Sequence, residues 1–187
     1  PTQLLTRTGE ALVHRAVRLA AATHPARLLA VTGAHAHDVE AMLQVIAVDY
    51  RLVLVANPDW ARGLSTSLAA AASALHDVDA PALILVCDQP ALQEHHLREL
   101  LVGAAHSRPG CAATRHGERL GVPAVVSAEL LQGARQLRGD VGLGARLGAL
   151  DGVWTLDAPE LALDLDTPDD VSEAVARGWL DRGQLHG

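Results

Sequence analysis

The sequence predicts an α/β fold in which helices cover both faces of a mostly parallel β-sheet. Three short runs consist almost entirely of aliphatic residues: Leu28–Thr32, Leu52–Val55 and Leu83–Cys87. Strands that lack polar alternation are buried on both faces, as in parallel sheets. Segments with apolar residues at helical spacing separate these runs, and this alternation predicts a three-layer α/β/α arrangement. The 187 residues, 49% of them hydrophobic, suit a single domain spanning 1–187.

The other elements follow in order along the chain. Helical spacing predicts helices over 11–22, from Asp38 through Ile46, and over 65–75, 92–105, 128–137, 141–150 and 168–178. Further apolar runs predict strands at 111–114, 122–126, 153–156 and 161–165. Asp38 and Pro168 are residues typical of helix N-termini, which supports the start of two of these helices.

Charge and composition argue against several classes of function. The formal net charge is −7 and the chain contains no lysine, so we do not expect the concentrated basic face of a nucleic-acid-binding protein. The longest apolar runs are too short to cross a bilayer, and the expected location is the cytoplasm. His95 and His96 are expected to lie on an exposed face of their helix.

Carboxylates stand at the ends of two predicted strands. Asp88 follows one of them, and ligands of open parallel sheets bind beyond the carboxyl ends of the strands. Asp164 and Asp166 are two residues apart and therefore share one face of an extended segment. A lone acid in such a place is as often a helix cap or a surface group. Carboxylates from two strand ends, however, are the hard oxygen ligands that magnesium requires, and they predict a metal site.

Two further motifs combine glycine with polar side chains. In the segment Asn57–Ser67, Gly63 allows the backbone to approach a ligand closely. Ser65, Thr66 and Ser67 follow it and offer hydroxyls and free amides at a helix N-terminus. An ordinary N-cap explains one of these hydroxyls but not three. The second motif, Gly139–Gly142, is explained equally well by a plain capped turn.

Five segments carry a resemblance to a known family. In order they are NPDWARGLSTSL at 57–68, LVCDQP at 85–90, GVPAVV at 121–126, GDVG at 139–142 and LDLDTPDD at 163–170. In character, spacing and order they resemble the MobA-like nucleotidyltransferases of molybdenum cofactor biosynthesis, and most closely the molybdopterin cytidylyltransferase branch. The resemblance covers essentially the whole chain and implies a Rossmann-like nucleotidyltransferase fold of the GT-A type.

The resemblance implies a reaction and a set of site residues. The reaction is magnesium-dependent transfer of a nucleoside monophosphate to the phosphate of molybdopterin with release of pyrophosphate. CMP from CTP is expected, and the sequence leaves the choice between CTP, GTP and ATP open. Asp88 would be catalytic and bind Mg²⁺, with Asp164 or Asp166 as the second ligand. The nucleotide would be bound by Gln3, Gly63, Ser65, Thr66 and Ser67. The acceptor would be bound by Gly121, Pro123, Gly139, Asp140 and Gly142.

The opening part of the family pattern is not present in this sequence. Relatives begin with a glycine-rich loop, whose Arg and Lys cradle the triphosphate, whereas this sequence starts at Pro1–Leu5 with Thr2 in place of that Lys. We therefore expect upstream residues, including a central strand, to be missing from the sequence. The alternative is a non-catalytic relative that carries or inserts the cofactor for a molybdoenzyme of the xanthine dehydrogenase type. The missing loop favours this alternative, and the intact acids favour the enzyme.

Overall fold

A computed structural model describes residues 2–136 and 142–183 of the chain. Gly139 and Asp140, two of the residues expected to bind the acceptor, lie outside the described residues. Within the described ranges, no helix is both long enough and apolar enough to span a bilayer.

Helices and strands alternate along most of the chain. The helices are α1 (Leu12–Ala21), α2 (Ala36–Tyr50), α3 (Leu64–Ala74), α4 (Glu94–His106), α5 (Ala128–Gly133), α6 (Leu143–Gly148) and α7 (Pro168–Ala176). The strands are β1 (Thr6–Arg7), β2 (Glu10–Ala11), β3 (Leu28–Thr32), β4 (Leu52–Ala56), β5 (Ala82–Ile84), β6 (Ala112–His116), β7 (Arg119–Val126) and β8 (Trp154–Asp157). Short 3₁₀ turns cover Thr2–Leu4, Trp60–Arg62, Ala134–Gln136 and Pro159–Ala162.

The longer strands form a parallel pair, β3–β4, and a four-stranded sheet in the order β5–β7–β6–β8. In the larger sheet β7 is antiparallel to both β5 and β6, whereas β6 and β8 are parallel. All its strands except β7 therefore run in the same direction. The predicted α/β fold with a mostly parallel sheet is confirmed.

Apolar clusters lie on both faces of the four-stranded sheet. Because successive side chains of a strand point to opposite faces, Val125 and Val126 of β7 belong to different clusters. Val125 packs with Leu97 and Leu100 of α4, and Val126 packs in the cluster that contains Leu147 of α6. A third cluster joins α1 and α2 to β3 and β4. The sheet is thus covered on both sides, as the unbroken apolar runs predicted.

The β3–β4 pair and the four-stranded sheet each have edge strands that are paired on one side only. Among the described residues, β3 pairs with β4 alone and β5 pairs with β7 alone. Each of these strands therefore presents one edge of backbone groups that no described strand covers. This is the arrangement expected if a further strand belongs between β3 and β5, which stays a prediction.

One predicted strand is wrong and another is shorter than expected. The segment 161–165 is not a strand, because the chain turns at Pro159–Ala162 and Leu161 N donates to Ala158 O at 3.0 Å. Proline stands at the first position of that turn, where its missing N–H is not needed. β5 ends at Ile84, so Asp88 lies four residues beyond the paired part of the strand.

Gly103 is a sensitive packing position between α4 and β8. A β-carbon built at Gly103 would lie 2.1 Å from Cδ2 of Trp154. In an open helical position, glycine to alanine stabilises by up to about 1 kcal/mol. We expect Gly103→Ala to destabilise the protein instead and to lower the free energy of unfolding by about 1–3 kcal/mol, because the added methyl group overpacks the core.

Urea denaturation followed by circular dichroism measures this change. The control is Gly148→Ala at the end of α6, where a β-carbon would meet nothing within 4 Å. The control should be neutral or mildly stabilising. An equal effect of the two substitutions would contradict the packing of Trp154 against Gly103.

Candidate active site

Asp88 lies between β5 and α4 in a mostly buried position. Its Oδ1 is buried and accepts no hydrogen bond from the part of the chain that the structure describes. Burial, and then the charges of Asp164 and Asp166, raise the pKa of Asp88 to about 6. Burial and the charge of Asp88 raise the pKa of the preceding Cys87 thiol to about 12. The surroundings therefore oppose negative charge and favour a ligand that brings positive charge.

The residues 163–166, here called the acid segment, lie directly beside Asp88. The amide of Leu165 donates to the carbonyl oxygen of Asp88 at 3.1 Å, and the side chain of Leu165 is buried. Asp164 and Asp166 on either side of it are exposed. Asp164 and Asp166 therefore lie in the segment next to Asp88, and metal binding by these three acids stays a prediction. Among these acids, it is Asp88 whose charge is costly to bury, because Asp164 and Asp166 are exposed.

Gln89 joins Asp88 to the acid segment, although the sequence did not single it out. Its side chain is 4% exposed, and Nε2 donates to Asp164 Oδ1 at 3.0 Å. The same nitrogen donates to Leu161 O at 3.1 Å and to Val122 O at 3.2 Å. The one signal in the sequence was its place directly after Asp88.

The first residues of the chain reach the same place. Thr2 Oγ1 donates to Leu165 O at 3.3 Å, so Thr2 lies against the acid segment. Oε1 of Gln3 is buried and has no hydrogen-bond partner within residues 2–136 and 142–183. Because Thr2 stands where relatives have lysine, a longer cationic side chain at this position would start beside the acids. The proposed contact of Gln3 with the nucleotide stays a prediction.

Two arginines hold the turn that follows Asp88. Arg7 donates through Nη1 to the carbonyl oxygen of Pro90, and Arg15 donates through Nη2 to the carbonyl oxygen of Leu92. These bonds connect β1 and α1 to the beginning of the segment that leads into α4. The position of Asp88 is therefore fixed on its C-terminal side by charged donors from the start of the chain.

The loop expected to bind the nucleotide is braced from inside by Asn57. The Asn57 side chain is buried, and Nδ2 donates to Thr66 Oγ1 and to Ser67 Oγ, both at 2.9 Å. Thr66 Oγ1 also donates to Gly63 O at 2.8 Å. Gly63 has a φ of 109°, a conformation that favours glycine. The hydroxyls of Thr66 and Ser67 thus help to shape the loop, and nucleotide binding by Gly63 and Ser65–Ser67 stays a prediction.

The residues expected to bind the acceptor lie on β7 and at the start of α6. Gly121 and Pro123 belong to β7, and Gly142 is the N-cap of α6. The two elements touch closely, because a β-carbon at Gly144 would lie 2.0 Å from Leu120 O. The structure therefore brings Gly121 and Gly142 into one region, and their role toward the acceptor stays a prediction.

A β-bulge interrupts β7 between these residues. Ala124 pairs with Ala113, but the next pair is Gly121 with Thr114, so Val122 and Pro123 have no partners across the strand. The peptide bond between Val122 and Pro123 is cis. Bulges of this kind are common next to active sites, where they re-aim backbone groups. Here the bulge turns Val122 O toward Gln89 Nε2.

The expectation for His96 is wrong, because this side chain is 2% exposed. Its Nδ1 accepts from Gln93 N at 3.1 Å, and its Nε2 bonds Glu160 Oε1 at 2.9 Å. Burial lowers the pKa of His96. His95, Glu160 and His96 lie close enough to suggest a metal site. However, an Nδ1 that accepts an N–H leaves the proton on Nε2, and a protonated nitrogen is a donor and not a ligand.

Comparisons with known proteins place this fold and site. A model of the MobA-like NTP transferase domain matches residues 2–153. Rv0371c from Mycobacterium tuberculosis H37Rv, solved in complex with manganese, has 22% identity and a TM-score of 0.71, covering 94% of this chain and 92% of that one. A nucleotidyl transferase from Methanothermobacter thermautotrophicus has 21% identity and a TM-score of 0.74, with coverages of 95% and 84%.

A third structure is the molybdopterin-guanine dinucleotide biosynthesis protein A from Archaeoglobus fulgidus. It has 15% identity and a TM-score of 0.56, covering 92% of this chain and 88% of that one. At these identities the likeness shows the shared fold. No curated protein matches the chain.

The fold, the acids beside Asp88 and these matches define a nucleotidyltransferase. The chain belongs to the MobA-like NTP transferase domain family, and the resemblance seen in the sequence is confirmed. Its substrate class is a nucleoside triphosphate, and enzymes of this family commonly use a divalent metal ion. The matched residues end before the acid segment, so the family match does not include Asp164 and Asp166, and their part in the site stays a prediction.

The raised pKa of Asp88 predicts an unusual pH dependence of stability in the absence of metal. The unfolded chain loses the Asp88 proton near pH 3.8, but the folded protein keeps it until about pH 6. In this interval the folded state binds more protons than the unfolded state. The contribution of Asp88 to the free energy of unfolding therefore decreases as the pH rises from 3.8 to about 6. We expect Asp88→Asn to remove this decrease and to be about 1–3 kcal/mol more stable than wild type at neutral pH.

Urea denaturation in EDTA at a series of pH values measures the difference between the two proteins. Asp151→Asn, at an exposed position in the turn before β8, is the matched control and should follow wild type. Parallel stability curves for wild type and Asp88→Asn would show that the Asp88 carboxylate is not held in an unfavourable environment.

Proposed function

We propose that this protein transfers a nucleoside monophosphate from a nucleoside triphosphate, in a Mg²⁺-dependent reaction, to the phosphate of molybdopterin with release of pyrophosphate. CTP is the proposed donor, and GTP is the alternative. The observation that carries the proposal is the buried Oδ1 of Asp88, which has no partner within residues 2–136 and 142–183 and lies near the exposed carboxylates of Asp164 and Asp166. The name of the Archaeoglobus fulgidus protein supports molybdopterin as the acceptor.

The residues present fit a hard divalent cation. Mg²⁺ prefers carboxylate and phosphate oxygens and is bound in such enzymes by one or two carboxylates together with substrate phosphates. Asp88 would hold it, with Asp164 or Asp166 as the second ligand. Manganese, present in the Rv0371c structure, has similar ligand preferences. A bound divalent ion would offset negative charge on the phosphates.

The side chains of this chain would act by binding and orientation, without a covalent intermediate. The loop around Gly63 would bind the nucleotide, and its shape is maintained by the buried Asn57. Gly121, Pro123 and the segment Gly139–Gly142 would face the acceptor. Gln89 bonds both Val122 O in the β7 bulge and Asp164. It therefore connects the strand that would face the acceptor with a proposed metal ligand.

Substitution of the acids tests the proposal. We expect Asp88→Asn to lower pyrophosphate release by roughly 10²–10³-fold, since an electrostatic group at the reacting phosphate is lost. Asp164→Asn and Asp166→Asn are made separately. The substitution that lowers pyrophosphate release more identifies the second metal ligand. The assay uses the chain extended with its natural upstream coding sequence, and it supplies molybdopterin with CTP, GTP or ATP and Mg²⁺ or Mn²⁺.

Asp169→Asn is the control, because Asp169 is exposed in the first turn of α7. It should retain the activity of wild type. Unchanged turnover in Asp88→Asn would overturn the site assignment. Binding of molybdopterin without turnover of any nucleotide would instead favour the non-catalytic carrier.

We also propose that upstream sequence supplies a glycine-rich phosphate loop and the strand between β3 and β5. The unpaired edges of these two strands support this, together with the absence of lysine from the sequence. Thr2 beside Leu165 O is the point where a lysine would bring a cation to the site. Losing one preorganised donor at a developing charge typically costs about 2.7–4 kcal/mol.

We therefore expect the 187-residue chain alone to release little pyrophosphate. Extension with the natural upstream coding sequence should raise turnover by at least about 10²-fold, and further with Thr2→Lys. Ser73→Lys, on an exposed part of α3, controls for the added charge. Full turnover by the 187-residue chain would show that its phosphate site lies elsewhere.

A further inference from the structure

The nitrogen and the oxygen of the Gln89 side-chain amide differ in their hydrogen bonding. Nε2 carries two N–H bonds and lies 3.0–3.2 Å from three acceptors, Val122 O, Leu161 O and Asp164 Oδ1, so at least one N–H is shared between two of them. Oε1 is buried and has no partner among the residues that the structure describes. Rotating the amide by 180° would place Oε1 against three acceptors, so the hydrogen-bond pattern fixes which end is the nitrogen.

Folding explains two of these three hydrogen bonds. Leu161 O is a main-chain acceptor in the turn Pro159–Ala162, and a buried carbonyl without a partner is unfavourable. Val122 O is a main-chain acceptor in the β7 bulge, where it also bonds His116 Nε2 at 2.9 Å. Asp164 is different, because it is exposed and water could satisfy its carboxylate. The bond to Asp164 is therefore not required to stabilise a buried group. Its effect is to fix the orientation of a carboxylate beside Asp88.

Fixing Asp164 leaves that carboxylate able to bind a cation. A carboxylate offers about four acceptor positions, and the Gln89 bond uses one of them. Gln89 also follows Asp88 directly in the sequence. It therefore connects Asp88, through the main chain, with Asp164, through a hydrogen bond, and these are two of the proposed metal ligands. Neighbours that orient metal ligands in this way typically change metal affinity by 10–100-fold when they are substituted.

We propose that Gln89 is the positioning residue of the metal site, holding the Asp164 carboxylate toward Asp88 and tying it to the β7 bulge at Val122. This inference rests on the proposed function, since it assumes that Asp88 and Asp164 share a divalent cation. It assigns to Gln89 no contact with substrate. Gln89 acts on the site through Asp164.

The test measures Mn²⁺ binding by electron paramagnetic resonance, without nucleotide or acceptor. We expect Gln89→Met to weaken binding about tenfold, since methionine keeps the length of the side chain but cannot donate. The control is Gln132→Met, because Gln132 Nε2 donates to a main-chain carbonyl, Leu75 O, at 2.9 Å away from the acids. The control should leave Mn²⁺ affinity unchanged even if it lowers stability.

A double substitution separates positioning from a general loss of structure. In an Asp164→Asn background, Gln89→Met should weaken Mn²⁺ binding little further, because the group that it orients is already gone. An equal loss in both backgrounds would overturn the proposal and indicate a purely structural role. Unchanged Mn²⁺ affinity in Gln89→Met would overturn it as well, while leaving the proposed nucleotidyl transfer intact.

The wild-type protein gives the same test if Gln89→Met does not fold. In ¹⁵N-labelled protein, Mg²⁺ should shift the side-chain amide resonances of Gln89, and Asp164→Asn should abolish the shift. Resonances that do not respond to Mg²⁺ would overturn the positioning role. A wild-type protein that binds Mn²⁺ but transfers no nucleotide would instead contradict the proposed reaction and not the role of Gln89.

Discussion

The candidate site depends on one buried carboxylate oxygen, Oδ1 of Asp88, which has no hydrogen-bond partner among the residues that the structure describes. Asp88 is kept from water on one oxygen and stands beside two further acids, so its ionised form is unfavourable in the protein alone. Such an arrangement persists only when neighbouring structure enforces it. Here the enforcement comes from the amide of Leu165 and from the two arginines that hold the following turn. The folded protein is destabilised by the ionised Asp88, and a bound cation would offset this unfavourable charge.

Much of the fold could be predicted, because burial leaves a direct mark on composition. The run Leu52–Val55 has no polar residue, and it forms the parallel strand β4 with one added residue. The pattern failed at 161–165, where Leu161 and Leu165 are buried as expected but Pro159 begins a turn, and the segment joins no sheet of the described residues. Apolar content reports burial, and it does not report which backbone groups meet.

The candidate site could be predicted only for residues whose chemistry is evident from their type. Asp88, Asp164 and Asp166 were found as acids at the ends of apolar runs. Gln89 and His96 were missed, because their importance comes from contacts with residues distant in sequence: Gln89 with Val122 and Asp164, and His96 with Glu160. A neutral side chain next to a motif gives no sign of how many segments it will connect.

The buried imidazole of His96 has a consequence for how this region opens. Its bonds to Gln93 N and Glu160 join the start of α4 to the turn before the acid segment, and Gln89 and Leu165 add two more links between the same stretches. Segments 88–96 and 160–165 are therefore cross-linked at both ends. Their backbone amides should exchange with deuterium as one cooperative unit, at a rate set by a single opening event. A ligand would then reach the proposed metal site from this side only when both segments open together, and the movement of one side chain would not be enough.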